Sequence, residues 1–182
     1  MMGQPYGFSR GRKGEVRLRL DDVERGVLLS LAQQMVAFIA PDAADPGADP
    51  LVAMVGIDAT ATTPDDPALA RLLPDAFLDD PDSSAEFRRF TERELRSTKT
   101  AHSTTVVADL EAGLTVLPDD HVPAWLGFLN DTRLALGSRI EITEDNHDEL
   151  AALPEDDPRV PMFHIYDWLT YLQDCLVQIL LP

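Results

Sequence analysis

Between His121 and Ile140 the chain reads HVPAWLGFLNDTRLALGSRI, and Val122, Trp125, Leu126, Leu129 and Leu136 recur at the three- and four-residue steps of one face of an α-helix. A core helix is expected there, beginning near Asp120, with Pro123 tolerated in its first turn and Gly137 near its end. Upstream, VRLRL alternates strictly, which turns Val16, Leu18 and Leu20 inward and Arg17 and Arg19 outward. With Tyr6–Arg10 and the glycine-bounded Gly11-Arg12-Lys13-Gly14 it predicts a β-hairpin. Asp21 as N-cap with Glu24 three positions on opens a first helix, carried by Val23, Val27, Leu28, Leu31, Met35 and Phe38 to about Ile39, before Pro41.

Residues 41–50, PDAADPGADP, are an acidic loop by composition. LVAMVGI (51–57) follows Asp49-Pro50 and is taken as a short helix, although a buried strand fits the same run. Asp66-Pro67 opens another short helix, Ala68–Leu73, closed by Pro74. Ser83 and Glu86 form an S-x-x-E capping box for the longest element, which extends to about Glu111, roughly 40 Å. Phe87, Leu95 and Val106 mark its expected inner face, yet Thr91, Glu94, Thr98, His102 and Thr105 share that face, so its middle is polar. Arg89, Arg93 and Arg96 fall on the expected outer face. The weak helix formers of Ser97–Thr105 make a kink there reasonable. Leu114–Leu117 fits a brief strand, Thr143 a cap for a short acidic helix over Glu144–Leu153, and 154–161 an acidic, proline-rich link. A final helix presents Ile165, Trp168, Leu169, Leu172, Leu176, Ile179 and Leu180 on one broad apolar face, which must dock on something. The expectation is a mainly α, single-domain bundle (1–182) of about five to seven helices, with residues 1–20 as a basic hairpin arm.

Charge changes this picture more than composition does. With 182 residues, nearly half apolar, the chain can bury a core without disulfides or metal, and Cys175, its single cysteine, closes no intramolecular disulfide. No apolar block resembles a secretory signal or a membrane span, so a soluble, cytoplasmic protein is expected. The net charge is −17, which disfavours nonspecific nucleic-acid binding. The basic residues are nevertheless segregated. Residues 1–25 carry six (Arg10, Arg12, Lys13, Arg17, Arg19, Arg25) against four acids, and residues 88–99 carry five (Arg88, Arg89, Arg93, Arg96, Lys99) against two. Two positive islands thus lie in an otherwise acidic sequence, and Arg10, Arg12, Lys13, Arg17, Arg19, Arg89, Arg93 and Arg96 are the candidate partner-binding residues.

Candidates for chemistry are few. His102, His121, His147 and His164 are scattered without an i,i+4 pair or a neighbouring cysteine, and Asp79, Asp80 and Asp82 lack the ladder of a calcium loop. No phosphate-binding glycine motif or nucleophile elbow is present, so no catalytic residue, metal or cofactor is assigned. Cys175, on an apolar helix, reads as core packing rather than a nucleophile. Asn130, Asp131 and Arg133 interrupt the central apolar stripe and need partners. They are expected to form a polar network in which Arg133 pairs with Asp167 or Asp174 of the last helix. The alternative is a polar pocket for a ligand or substrate, shared with Thr98 and His102.

The blocks DPALARLLPDAF (66–77), EFRRFTERELRSTK (86–99), AWLGFLNDTRLALGSRI (124–140) and YDWLTYLQDCLVQIL (166–180), behind a basic strand and helix, resemble an actinobacterial family. It was long catalogued only as a domain of unknown function, and its members are now often described as oxidative stress transcriptional regulators. They are commonly encoded near a Clp protease adaptor and cysteine-biosynthesis genes. The resemblance spans nearly the whole chain and implies regulation, with no catalytic motif to transfer. A lone cysteine forbids an internal disulfide switch, and no helix-turn-helix is legible, so protein contact is expected ahead of direct DNA contact. The reading is therefore a noncatalytic regulator acting through protein contacts, with a sigma factor, RNA polymerase or a second copy of the chain as partner. The alternatives are a small-ligand protein or enzyme using the Asn130, Asp131 and Arg133 pocket, and a homo-oligomeric scaffold assembled through the last helix.

Overall fold

The computed structural model describes residues 6–40 and 61–181. The expectations of an acidic loop at 41–50 and a helix or strand at 51–57 lie outside them. The chain forms strands β1 (Gly7–Arg10) and β2 (Val16–Arg19), helices α1 (Asp22–Ile39), α2 (Pro67–Leu72) and α3 (Pro81–Glu111), strand β3 (Val116–Leu117), and helices α4 (Val122–Arg139), α5 (His147–Ala151) and α6 (Val160–Leu180). It is the expected mainly α bundle with a short N-terminal hairpin, six helices among the described residues.

The hairpin pairs Phe8 with Leu18 and Arg10 with Val16, and β3 adds antiparallel to β2 through Val16 and Leu117. The turn closes by hydrogen bonds from Gly11 N to Glu15 O (2.7 Å) and Gly14 N to Gly11 O (3.1 Å). Gly14 has φ +90°, a conformation that favours glycine. Val16 and Leu18 are buried and Arg17 and Arg19 exposed, as the alternation dictates. Asp21 and Glu24 form a reciprocal capping box on α1.

Helix α4 packs against α1, α2, α3 and α6, so the stretch with the clearest periodicity is the centre of the fold. Trp125, Phe128 and Leu129 on it are fully buried. Phe8 of β1 meets the Trp125 ring edge-on at a centroid distance of 5.6 Å, which ties the hairpin to this core. The last helix docks Leu169, Leu172 and Leu176 into the same core, against α4 and β1. Gly137 does not end α4, which runs two residues further to a C-cap at Ile140.

Three local expectations are corrected. The N-cap of α3 is Asp80, whose carboxylate accepts from Ser83 N, with Pro81 in the first turn. Ser83 instead donates its hydroxyl to Asp80 (2.6 Å), so the S-x-x-E match is not the cap. No break occurs at Ser97–Thr105: the segment stays helical, and the Ser103, Thr104 and Thr105 hydroxyls bond back to carbonyls four residues earlier. The acidic helix is shorter than its charge pattern suggests. It starts at His147, because Asn146 accepts from Thr143 N and donates to Glu141 O, holding 141–146 as a loop.

Candidate functional site

Helix α3 is turned about its axis relative to its apolar pattern. Ser84, Arg88, Arg96, Ser103, Val106, Asp109 and Leu110 face inward. Phe87 is 49% exposed and Phe90 57% exposed, and Leu95 is also exposed. Of the three residues expected to mark the inner face, Val106 is buried, but Phe87 and Leu95 are exposed, as is Thr98, and Arg96, expected outside, is buried.

Each inward polar group has a partner that fixes this register. The Ser84 hydroxyl donates to Phe77 O (2.7 Å) and accepts from Phe77 N (2.9 Å). Arg88 donates to Leu73 O (2.9 Å), Asp75 (2.8 Å) and Glu92, while its Nε has no hydrogen-bond partner. Burial alone would lower the Arg88 pKa, but its hydrogen bonds to Asp75 and Glu92 outweigh that and raise it. Glu92 also accepts from Arg96 Nε (2.8 Å), and Arg96 Nη1 reaches Ile39 O (3.1 Å) at the end of α1. One turn on, Lys99 pairs with the buried Asp131 of α4 at 2.7 Å. Near the C-terminal end of α3, Asp109 accepts from Trp125 Nε1 (2.8 Å) and contacts His121 Nδ1 (2.9 Å).

The polar group on α4 therefore separates into two systems. Asp131 turns to Lys99 of α3. Arg133 turns to α6, donating to Thr170 Oγ1 (2.9 Å), Gln173 Oε1 (2.8 Å) and Tyr166 OH (3.3 Å). The expected ion pair to Asp167 or Asp174 is not made. Asp167 instead contacts His147 Nε2 at 2.9 Å, linking α5 to α6. Asn130 is half-buried on α4. The Arg133 guanidinium borders a cleft, but that lining includes none of Asn130, Asp131, Thr98 and His102. The pocket expected from those residues is not assembled, because consecutive positions of α4 face different neighbours.

The basic island at the N-terminus is partly spent on its own chain. Arg10 donates to Ile179 O (2.6 Å), Arg17 pairs with Glu15 at 2.8 Å, and Arg19 lies 4.8 Å from the Tyr6 ring centroid. The Arg17 hydrogen bond is the main reason the Glu15 carboxyl stays below its ordinary pKa. Arg12 and Lys13 stand exposed on the turn, and Arg89 and Arg93 are exposed on α3, where Arg93 also interacts within its own chain. Phe77 and Phe87 meet edge-on at 6.1 Å; Phe90, three positions along the helix from Phe87 and so on a neighbouring part of its surface, and Leu78, next to Phe77 in the chain, are exposed as well, as are Arg89 and Arg93. Sequence reasoning missed this surface, since it had assigned Phe87 to the core. The signal available was Phe90, which no inward stripe through Phe87 and Leu95 includes.

Among the described residues no group of three metal-ligating side chains converges, and no helix is long and apolar enough to cross a membrane. Cys175 is half-buried on α6 against the core.

A family model described as a domain of unknown function (DUF2017) matches residues 5–180. The chain is 31% identical over 174 residues to the oxidative stress regulator AosR of Mycobacterium tuberculosis and to that of Mycobacterium bovis, covering 87% of this chain and 78% of the relative. It is 34% identical over 145 residues to the putative oxidative stress regulator AosR of Mycobacterium leprae, covering 71% of this chain and 65% of that one. No solved structure matches it significantly.

Proposed function

Because the chain belongs to the DUF2017 family, and its mycobacterial relatives are named oxidative stress regulators, we propose that it is a noncatalytic regulator that binds a protein of the transcription machinery, a sigma factor or RNA polymerase. The observation that carries this reading is the inverted middle of α3, with arginines inside and phenylalanines outside. Contiguous exposed aromatic surface on a folded protein marks a contact site, and aromatic side chains flanked by arginine are the composition of energetic centres in protein interfaces. The surface comprises Phe77, Leu78, Phe87 and Phe90, edged by Arg89 and Arg93. Arg12 and Lys13 on the hairpin turn are the second contact point. Arg96 leaves the proposed contact set because it is buried, and Arg10 and Arg17 contribute chiefly to their own fold.

Binding of the full chain to purified actinobacterial RNA polymerase core, holoenzyme and free sigma factor tests this. Phe87→Ser/Phe90→Ser should abolish capture without changing the circular dichroism spectrum. Arg89→Glu/Arg93→Glu should weaken it, by at least about tenfold for the pair, the factor 1.4 kcal/mol represents. Unaltered capture by both variants removes the surface from consideration. Promoter DNA provides the contrast, since direct phosphate contacts must weaken steeply with salt. Light scattering that shows an assembly dispersed by the phenylalanine variant would favour self-association through this face.

A further inference from the structure

A cleft of about 490 Å³ opens between α2, α4, the loop before α5, and α6, lined by Arg71, Arg133, Leu134, Gly137, Ser138, Ile142, Thr143, Glu144 and Tyr166. Its volume lies within the range of small-molecule sites. We propose that it binds a small organic acid, with a carboxylate or phosphate head on the two guanidiniums and a compact apolar body against Leu134, Ile142 and Tyr166.

Charge is the first reason. Arg133 uses three of its five N–H donors on neutral oxygens of Thr170, Gln173 and Tyr166, and its guanidinium lies 5.2 Å from the Tyr166 ring centroid. Among the described residues no carboxylate pairs with it or with Arg71. Two cations against the single exposed Glu144 is an unusual balance on a chain of net charge −17. A half-buried guanidinium held in place by neutral hydrogen bonds is preorganised for an anion, which adds charge-assisted bonds without reorientation.

Shape is the second. A Cβ at Gly137 would stand 2.8 Å from Ile142 Cγ2 and 3.3 Å from Tyr166 Cε2, so glycine is what lets these two side chains close over α4 as an apolar wall. The hydroxyls of Ser138 and Thr143 add polar groups to the lining. An inorganic anion would leave the apolar wall unused, and a neutral ligand would leave the guanidiniums unneutralised.

The test is an amide NMR titration of the full ¹⁵N-labelled chain with benzoate, phenyl phosphate and the uncharged benzamide. Saturable shifts confined to Arg71, residues 133–144 and Tyr166 are expected for at least one anion, with benzamide weaker by about tenfold or more, the factor 1.4 kcal/mol represents. The ratio between benzoate and phenyl phosphate then assigns the head group. Arg133→Gln should weaken anion binding by about tenfold as well. Since Arg133 also ties α4 to α6, Arg71→Gln is the companion variant; its side chain is exposed and makes no ion pair with another described residue, so the fold should persist while affinity drops. Nonsaturating shifts spread over the surface, benzamide binding as tightly as the anions, or Arg71→Gln binding undiminished would overturn the proposal.

Discussion

Glu92→Ala removes a carboxylate shared by two buried guanidiniums. The Arg88, Glu92 and Arg96 side chains are 5%, 10% and 10% exposed. With Glu92 gone, Arg88 retains Asp75 and Leu73 O, whereas Arg96 retains the Ile39 carbonyl and no carboxylate among the described residues. Breaking a buried pair from one side costs about 3–5 kcal/mol, because the remaining charge is stranded. The second carboxylate of Arg88 and the residual exposure place this case at about 3 kcal/mol. For a chain of this length that corresponds to a melting temperature lower by roughly 6–12 °C. Glu92→Met/Arg96→Met, which removes both charges at that contact, should recover about half the loss, since an apolar replacement of a buried ion pair is often close to neutral. Urea unfolding followed by far-ultraviolet circular dichroism, with the same variants melted by calorimetry, measures both. A loss below about 1 kcal/mol for Glu92→Ala is the range of a solvated surface pair. It would refute the buried network and return Arg96 to the candidate contact cations.

Lys99→Met strands the Asp131 carboxylate inside the α3–α4 contact and should cost about 3 kcal/mol by urea unfolding, with Lys99→Met/Asp131→Leu recovering most of it. Equal losses in the two variants would show that packing, not charge, dominates there. Gly127→Ala places a Cβ 2.9 Å from His102 Cε1, a crowding expected to destabilise by about 1 kcal/mol; His102→Ala should remove that penalty in the double variant, and additive effects would contradict it. Hydrogen bonds from Arg139 and Arg88 hold the Asp66 and Asp75 carboxyls below the ordinary range, and Arg159 takes Asp157 to about 2. A folded pKa below the unfolded value of about 3.9 stabilises fully above that value, and the contribution is lost as pH falls through the folded pKa. Urea midpoints should therefore drop between about pH 4 and pH 2, less steeply in Asp66→Asn/Asp75→Asn; identical slopes would show that these pairs do not drive the acid transition.

The hairpin, the α1 cap and the docking faces of α4 and α6 were legible because each rests on local chemistry: a period of two, a capping carboxylate, a stripe of large aliphatic side chains. The face of α3 was not. Apolar periodicity assigns the interior to whichever stripe is greasiest, and here the interior stripe is Ser84, Arg88, Glu92, Arg96 and Lys99; beyond the i,i+4 pairs that Glu92 makes with Arg88 and Arg96, it is anchored by groups on other elements. The relevant carbonyls, Leu73 O and Ile39 O, sit 15 and 57 residues upstream, and nothing local announces them. Arg133 posed the same problem in milder form. Its need for a partner was readable, but the choice of Thr170, Gln173 and Tyr166 over Asp167 depends on the rotation of α6, and the competing tie of Asp167 to His147 on the placement of α5.

The buried arginines and the exposed phenylalanines are consequences of a single choice of register. Rotating α3 by one residue, about 100°, would bring Phe87 towards the core. The same rotation would withdraw Arg88 from Leu73 and Asp75, Arg96 from Ile39, Lys99 from Asp131 and Ser84 from the Phe77 backbone. Each of those is a charged or buried polar group whose isolation costs a few kcal/mol, against about 2–3 kcal/mol for burying one phenylalanine. Several anchors on different elements outweigh two aromatic rings, so the helix cannot turn its phenylalanines inward while the network is intact. The apolar surface is therefore permanent in the folded chain rather than exposed on demand. Of the three arginines expected to face a partner, Arg96 instead helps to hold this surface in place, while Arg89 and Arg93 stay exposed along its edge.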